Sequence, residues 1–433
     1  MKSGKMCPEN YIKRITDEKI EKYLSLFGAV EISGTMWCGK TWSALAQSES
    51  VIFLDKDSNR QLVSADTSYA LTGEKPHLID EWQLVPGIWD TIRHAVDTSG
   101  GEKGQWILTG SSAPDKSKVN HSGAGRIGRV HMRPMSLQES GDSTGAVSLE
   151  GLFNGKFTPC EAPTDISELA YLICRGGWPQ MRKSSSEDSQ MILKSYLNNV
   201  FDISIPRLGG NSVLARRLAL SLARNLCQSV KLSVLAKDVY SRKDSSVSED
   251  MEKRNVSSQL DIIKKIYLVE EVTGWVPPTR SPERMRTKAK NYFADQSIPV
   301  ALLGLSENSV MKDYQTFGLL FENMCMRDLA VYASAVHDAK PDPLYYYRDD
   351  SNLEADAIIE KNDGRYAVIE IKMNPSKVDD AAKNINRLKK KIVSNPMAEN
   401  ESPAFCAIIT GTGDRAYQRK DGIYVIPIRV LGK

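Results

Sequence analysis

Apolar residues recur along this chain with two periods, and the way the periods alternate divides it into three stretches. In the first, short buried runs alternate with helical ones. Residues 29–33, 51–55, 77–82, 104–112 and 130–133 read as strands. The helical spacing of Ile15, Ile20, Tyr23, Leu24 and Phe27 predicts a helix over 11–27, capped within by Thr16 or Asp17. A helix from Thr41 to Gln47 and another over 86–96, with Ile88, Trp89, Ile92 and Val96 inward, complete an α/β alternation. Beyond Glu139 that alternation stops. Residues 152–159 read as a loop, and 165–174, 191–203, 212–226, 232–239 and 257–267 read as helices. Strands over 269–275 and 290–294 follow, and helix, helix and hairpin make a winged-helix pattern. In the last stretch a long apolar helix over 317–333 precedes strands at 344–348, 353–359 and 366–372. A basic helix at 381–393 and strands at 404–409 and 422–427 close the chain. The expected domains are 1–160, 161–300 and 301–433.

The turn after the first strand carries the clearest chemistry. Residues 34–41, GTMWCGKT, fit G-x-x-x-x-G-K-[ST], the phosphate-binding loop. Gly34 and Gly39 allow backbone conformations that a Cβ obstructs. The N–H groups of Thr35, Met36, Trp37, Cys38 and Gly39 then form an anion cradle at a helix N-terminus. Lys40 is expected to reach the β- and γ-phosphates of ATP, and the Thr41 hydroxyl to ligate Mg²⁺. The strand at 77–82 ends in Asp80 and Glu81. Asp80 is expected in the Mg²⁺ shell and Glu81 as general base on the attacking water. Thr109 and Ser111, at the end of the next strand, are candidate γ-phosphate sensors, with a plain strand-end turn as the alternative. Arg126, then Arg129, are candidates for stabilising phosphate charge within the chain or in a neighbouring subunit. Arg14 is a further arginine near the loop in sequence, expected to be a surface charge. The loop holding Arg126 begins at His121.

The second candidate site lies in the last stretch. Glu370 and Lys372 are two apart on one strand and share a face. With Asp356 across the hairpin, two carboxylates would bind Mg²⁺ and the lysine would position water, the arrangement of metal-assisted phosphodiester cleavage. Glu322 on the long helix would complete it. A charged face of an antiparallel sheet is the alternative. Lys264 and Lys265 on the second helix of the winged pattern, and Arg280, Arg284, Arg286, Lys288 and Lys290 around its hairpin, suit phosphate-backbone contacts, with a solvated hairpin or a winged helix used only for protein contacts as the alternative. So do Lys383, Arg387, Lys389, Lys390 and Lys391 on the closing helix, with a helix that covers the sheet as the alternative.

Composition changes this picture little. The 433 residues are 41% hydrophobic and 26% charged, ordinary for a globular protein, and the net charge of +3 neither argues for nucleic acid nor against it. No run approaches the ~20 apolar residues of a membrane span. The first residues lack the apolar core of a signal peptide. Seven cysteines are scattered singly, with no C-x-x-C pair, which points to a reducing cytoplasm rather than a disulfide framework or zinc site.

Several of these segments together carry a likeness. Residues 11–17, the phosphate loop, LIDEWQ at 78–83, ILTGS at 107–111, Gly125-Arg126 with RPMS at 133–136, FEN at 321–323, EAD at 354–356 and IEIK at 369–372 resemble the prokaryotic AAA-type ATPases with a C-terminal domain of unknown function. The resemblance implies a three-layer α/β/α P-loop core with an additional catalytic glutamate, a winged-helix-like middle and a restriction-nuclease-like (PD-(D/E)xK-like) α/β domain at the C-terminus. It implies no substrate, and nuclease activity is not general among such proteins. Three readings follow: an ATPase whose nucleotide state switches its C-terminal domains, an ATP-regulated nuclease, or an ATP-controlled module binding nucleic acid or protein. A second copy of the chain is a further candidate partner, and a membrane is not.

Overall fold

The computed structural model describes residues 4–113, 122–240, 248–276, 288–351, 353–394 and 402–433. They form two compact units, 1–135 with 265–267, and 136–264 with 268–433. His121, Arg280, Arg284 and Arg286, named above as candidates or landmarks, lie outside the described residues.

The first unit is built on five parallel strands, β1 (Ala29–Ser33), β2 (Ser50–Phe53), β3 (His77–Asp80), β4 (Trp106–Gly110) and β5 (Ile127–His131), in the order β2-β3-β4-β1-β5. Apolar clusters on the two sides of the sheet explain why these short runs are so apolar. Ala29, Leu54, Ile79, Trp82, Trp89, Ile92 and Leu108 make one cluster. Ile20, Val30, Ile32, Leu78, Ile107 and Val130 make the other. The opening helix is shorter than its periodicity suggests, Thr16–Leu26. Asp17 draws the preceding segment out of helical form by accepting from Arg14 N at 2.8 Å and the Tyr11 hydroxyl at 2.7 Å.

The second unit joins helices to a seven-stranded mixed sheet. Its strands are β6 (Val147–Ser148), β7 (Cys160–Thr164), β8 (Val269–Val272), β9 (Lys290–Phe293), β10 (Ala339–Arg348), β11 (Glu354–Lys361), β12 (Tyr366–Lys372), β13 (Phe405–Thr410), β14 (Gly413–Gln418), β15 (Tyr424–Pro427) and β16 (Leu431–Gly432). The large sheet runs β10-β11-β12-β13-β15-β14-β7, while β8 pairs β9 and β6 pairs β16. Helix Tyr314–Ala333, three antiparallel strands β10–β12, helix Val378–Val393 and the parallel strand β13 succeed one another. The second of these helices turns Val378, Ala381, Ile385, Leu388 and Ile392 into the core with Val368 and Ile408.

Four strands here escape the periodicity, the two-residue β6 and β16 and the longer β7 and β14. β7 forms between the loop read over 152–159 and the helix read over 165–174, and pairs antiparallel with β14, whose alternation buries Ala416 alone. Neither carries the apolar run by which a strand is recognised. Helix Glu249–Lys265 likewise begins earlier than its apolar spacing suggests, on a first turn of Glu249, Asp250 and Glu252 that suits the helix dipole. A buried ion cluster ties distant segments of this unit. Arg327 contacts Asp295 and Asp328 at 2.7 Å each, while Asp295 accepts from Gly177 N and Asp328 from Leu137 N.

Candidate nucleotide site and a second carboxylate cluster

All five strands of the first unit are parallel, so the turns that leave β1, β3 and β4 open at one end of the sheet, where such sheets bind ligands. Gly34 takes φ +152°, and a Cβ there would lie 2.1 Å from Met132 O, so the loop requires glycine at its start. Gly39 has φ +106° and precedes helix Lys40–Leu45. Trp37 is left-handed at φ 75° without being glycine. Lys40 is buried and donates to Thr35 O at 2.9 Å, folded across its own loop.

Asp80 closes β3 and accepts from Thr41 Oγ1 at 2.8 Å and from Thr109 Oγ1 at 2.5 Å. Burial pushes its carboxyl up, and the two hydroxyls work against that rise. A carboxylate oxygen beside a hydroxyl is a hard-oxygen donor pair that fits Mg²⁺. Glu81 stands at φ 57°, a left-handed position that turns it away from the strand's own alternation. Its carboxylate accepts from Ser111 Oγ at 3.0 Å and from the Gln83 amide. Of the two hydroxyls at the end of β4, Thr109 therefore bonds the first acid and Ser111 the second. Gln83 had no signal beyond its nearness to the acidic pair.

The arginines fall elsewhere. Arg126 precedes β5, and its carbonyl accepts from Ala29 N, the first residue of β1, whereas the phosphate loop follows the last. At ~3.3 Å per residue that separates them by about 15 Å within one chain. Arg126 is ion-paired to Asp97 at 2.7 Å. Arg129 covers the buried Glu31 at 3.3 Å and stacks on Trp89. Neither faces this chain's own loop. Arg14 is a buried strut rather than a surface charge, donating to Cys38 O and Arg133 O at 2.8 Å each.

In the second unit Asp356, Glu370, Lys372 and Glu322 come together. Ala357 pairs with Ile369, so one step further Asp356 faces Glu370. Lys372 Nζ lies 3.2 Å from Asp356 Oδ2 and 2.6 Å from Glu370 Oε2, and Ile371 N donates to the same Asp356 oxygen at 2.7 Å. Burial, then the charge of Asp356, pushes Glu370 up to about 8 and Glu322 up to about 7; Lys372 offsets part of this at Glu370, and Lys290, then Tyr292, part of it at Glu322. Three side chains that sequence reasoning did not assign to this cluster join it. Lys290 Nζ sits 2.5 Å from Glu354 Oε1 and 4.0 Å from Glu322 Oε1, and Tyr292 OH donates to Glu322 at 2.9 Å. Lys290 is thus buried against acids and not offered to a phosphate backbone. Lys264 is likewise paired, with Glu271 at 2.7 Å. Among the described residues no group of three or more His, Cys, Asp or Glu is arranged to hold a metal ion. Nor is any described helix long and apolar enough to cross a membrane.

With this geometry in view, three family models match. An AAA domain matches residues 27–141, and two domains of unknown function, DUF8612 and DUF4143, match 166–309 and 317–431. The first unit thus carries an AAA-type nucleotide-binding domain. Two mycobacterial proteins, the uncharacterized Rv2008c of Mycobacterium tuberculosis and Mb2031c of Mycobacterium bovis, are each 24% identical over 313 residues, 71% of this chain. The chain spans 61% of the length of these relatives. Among solved structures, the Walker-type ATPase PABY2304 of Pyrococcus abyssi aligns at 13% identity and TM-score 0.42, over 69% of this chain and 98% of that one.

Proposed function

We propose that the chain is a Mg²⁺-dependent ATP hydrolase whose nucleotide state acts on its C-terminal domains. The observation that carries this is Asp80 bonded to Thr41, with Glu81 beside it on Ser111. Lys40 and the N–H groups of 35–39 would hold the phosphates, and Thr41 and Asp80 the Mg²⁺, which supplies charge neutralisation on the transferring phosphate. Glu81 takes the proton from the attacking water once it leaves Ser111 and Gln83. Thr109 keeps Asp80 oriented. Arg126, distant from its own loop, serves the phosphates only of a neighbouring copy. In a steady-state phosphate-release assay, Glu81→Gln should lower turnover at least about 100-fold while ATP still binds, and Lys40→Ala should lose binding as well. Wild type that releases no phosphate, and whose ATP binding Lys40→Ala leaves unchanged, would overturn the reading.

A second reading rests on the convergence of Glu322, Asp356, Glu370 and Lys372, and on the α-β-β-β-α-β order of the strands that hold them. Those features favour a PD-(D/E)xK-like fold and metal-assisted cleavage of nucleic acid, with the winged-helix-like helices and hairpin as its approach. Stimulation of ATP turnover by DNA or RNA, together with Mg²⁺-dependent cutting lost in Glu370→Ala, would support it. Stimulation without cutting would favour a binding module instead.

A further inference from the structure

β9 places a lysine on the face that its neighbour Tyr292 buries. Lys290 and Tyr292 are two apart and reach the same acid, Glu322. Four carboxyl groups, from Glu322, Glu354, Asp356 and Glu370, lie around two ammonium groups. Lys372 is shared by Asp356 and Glu370, and Lys290 by Glu354 and Glu322. Lys290 also lies over the ring of Tyr346, 5.1 Å from its centre. The carboxylate oxygens that a cation would need already accept from Lys290, Lys372, Tyr292 and Ile371 N.

We propose that Lys290 is the resident counter-ion of this cluster, and that docking of the β8–β9 hairpin keeps divalent cations out of it. The hairpin is fastened where this requires. Phe293 N and O exchange two hydrogen bonds of 2.9 Å with the Asn323 side chain, one residue from Glu322. Trp275 N donates to Tyr346 O at 2.6 Å, Tyr346 N to Thr273 O at 3.1 Å, and the Trp275 ring packs on Tyr366 at 4.9 Å. Lys290 belongs to the stretch matched by one domain model and its acids to the stretch matched by the next. A hairpin that lifts away carries its ammonium with it, leaving four carboxyl groups around one lysine. That is the charge imbalance a divalent ion corrects, since a buried carboxylate that loses its partner is costly.

The test is Mn²⁺ binding to the full chain without nucleotide at pH 7.5, measured in wild type, Lys290→Gln and Lys290→Arg, each with and without Asp356→Asn. Asp356→Asn isolates the cluster from the Thr41–Asp80 site. A site removed by Asp356→Asn should appear in Lys290→Gln and bind Mn²⁺ at least about tenfold tighter than in wild type or Lys290→Arg. A wild type that binds Mn²⁺ as tightly at a site sensitive to Asp356→Asn overturns the proposal, as does a Lys290→Gln that gains nothing. Should Lys290→Gln fail to fold, wild type against Asp356→Asn decides alone. Equal Mn²⁺ binding by the two supports the proposal, and loss in Asp356→Asn overturns it.

Discussion

Arg14 lies in a polar stretch, yet it is buried and its guanidinium bridges Cys38 O in the phosphate loop and Arg133 O beyond β5. Replacing it by methionine keeps the bulk of the stem and strands two buried carbonyls. Arg14→Met should therefore cost about 2–4 kcal/mol in denaturant unfolding of the first unit and weaken ATP binding. An unchanged midpoint would show that water takes over both carbonyls. At this scale the residues with obligatory spacing were legible: Gly34, Lys40 and Thr41 by pattern, Asp80 and Glu81 by their place at a strand end. Arg14 and Lys290 were not. A single charge in a polar or mixed segment reads as solvated until the partner that buries it is known, and those partners lie 24 and 64 residues away, at Cys38 and Glu354. For Arg126 the pattern leaves its own chain and a neighbouring copy both open, and β5 begins at the end of the sheet away from this chain's loop.

Among elements, β11 and β12 with helix Tyr314–Ala333 gather acids in a setting that favours their neutral forms. Glu322 and Glu370 are raised from ordinary carboxyl values to about 7 and about 8. Above pH ~4.5 the unfolded chain has lost both protons while the folded one still holds them. Their contribution is thus complete below pH ~4.5 and is lost as pH rises through 7 to 8. Unfolding of the second unit by urea should show stability falling by about 2–4 kcal/mol between pH 5.5 and 8.5, and Glu370→Gln should flatten that slope. A stability that rises over this interval would mean that Lys372 and Lys290 outweigh the burial of the acids. The strands themselves were legible because β11 and β12 are short, largely apolar runs on either side of an Asp-Gly turn. The hairpin β8–β9 was legible as a hairpin but not as a docked one, since pairing with β10 through Gly274 and Tyr346 leaves no mark in the local pattern.

For the whole molecule, the matched models fall in a simple sequence, 27–141, 166–309 and 317–431, whereas the second unit does not respect it. The α/β alternation of the first unit was legible because β1, β3 and β4 are apolar runs buried almost throughout. The last sheet was only partly so, because its outermost strand, β7, comes from residues 160–164 and pairs with β14 some 250 residues later. A fragment of 301–433, cut where the sequence pattern divides, would lack β7 and expose the unpaired backbone of β14. Such an open edge is a template for strands of other molecules. The fragment should elute as higher oligomers in size-exclusion chromatography, and one extended back to residue 136 should not. Any self-association or altered activity of an isolated C-terminal piece would then report a missing strand, not a property of the intact chain.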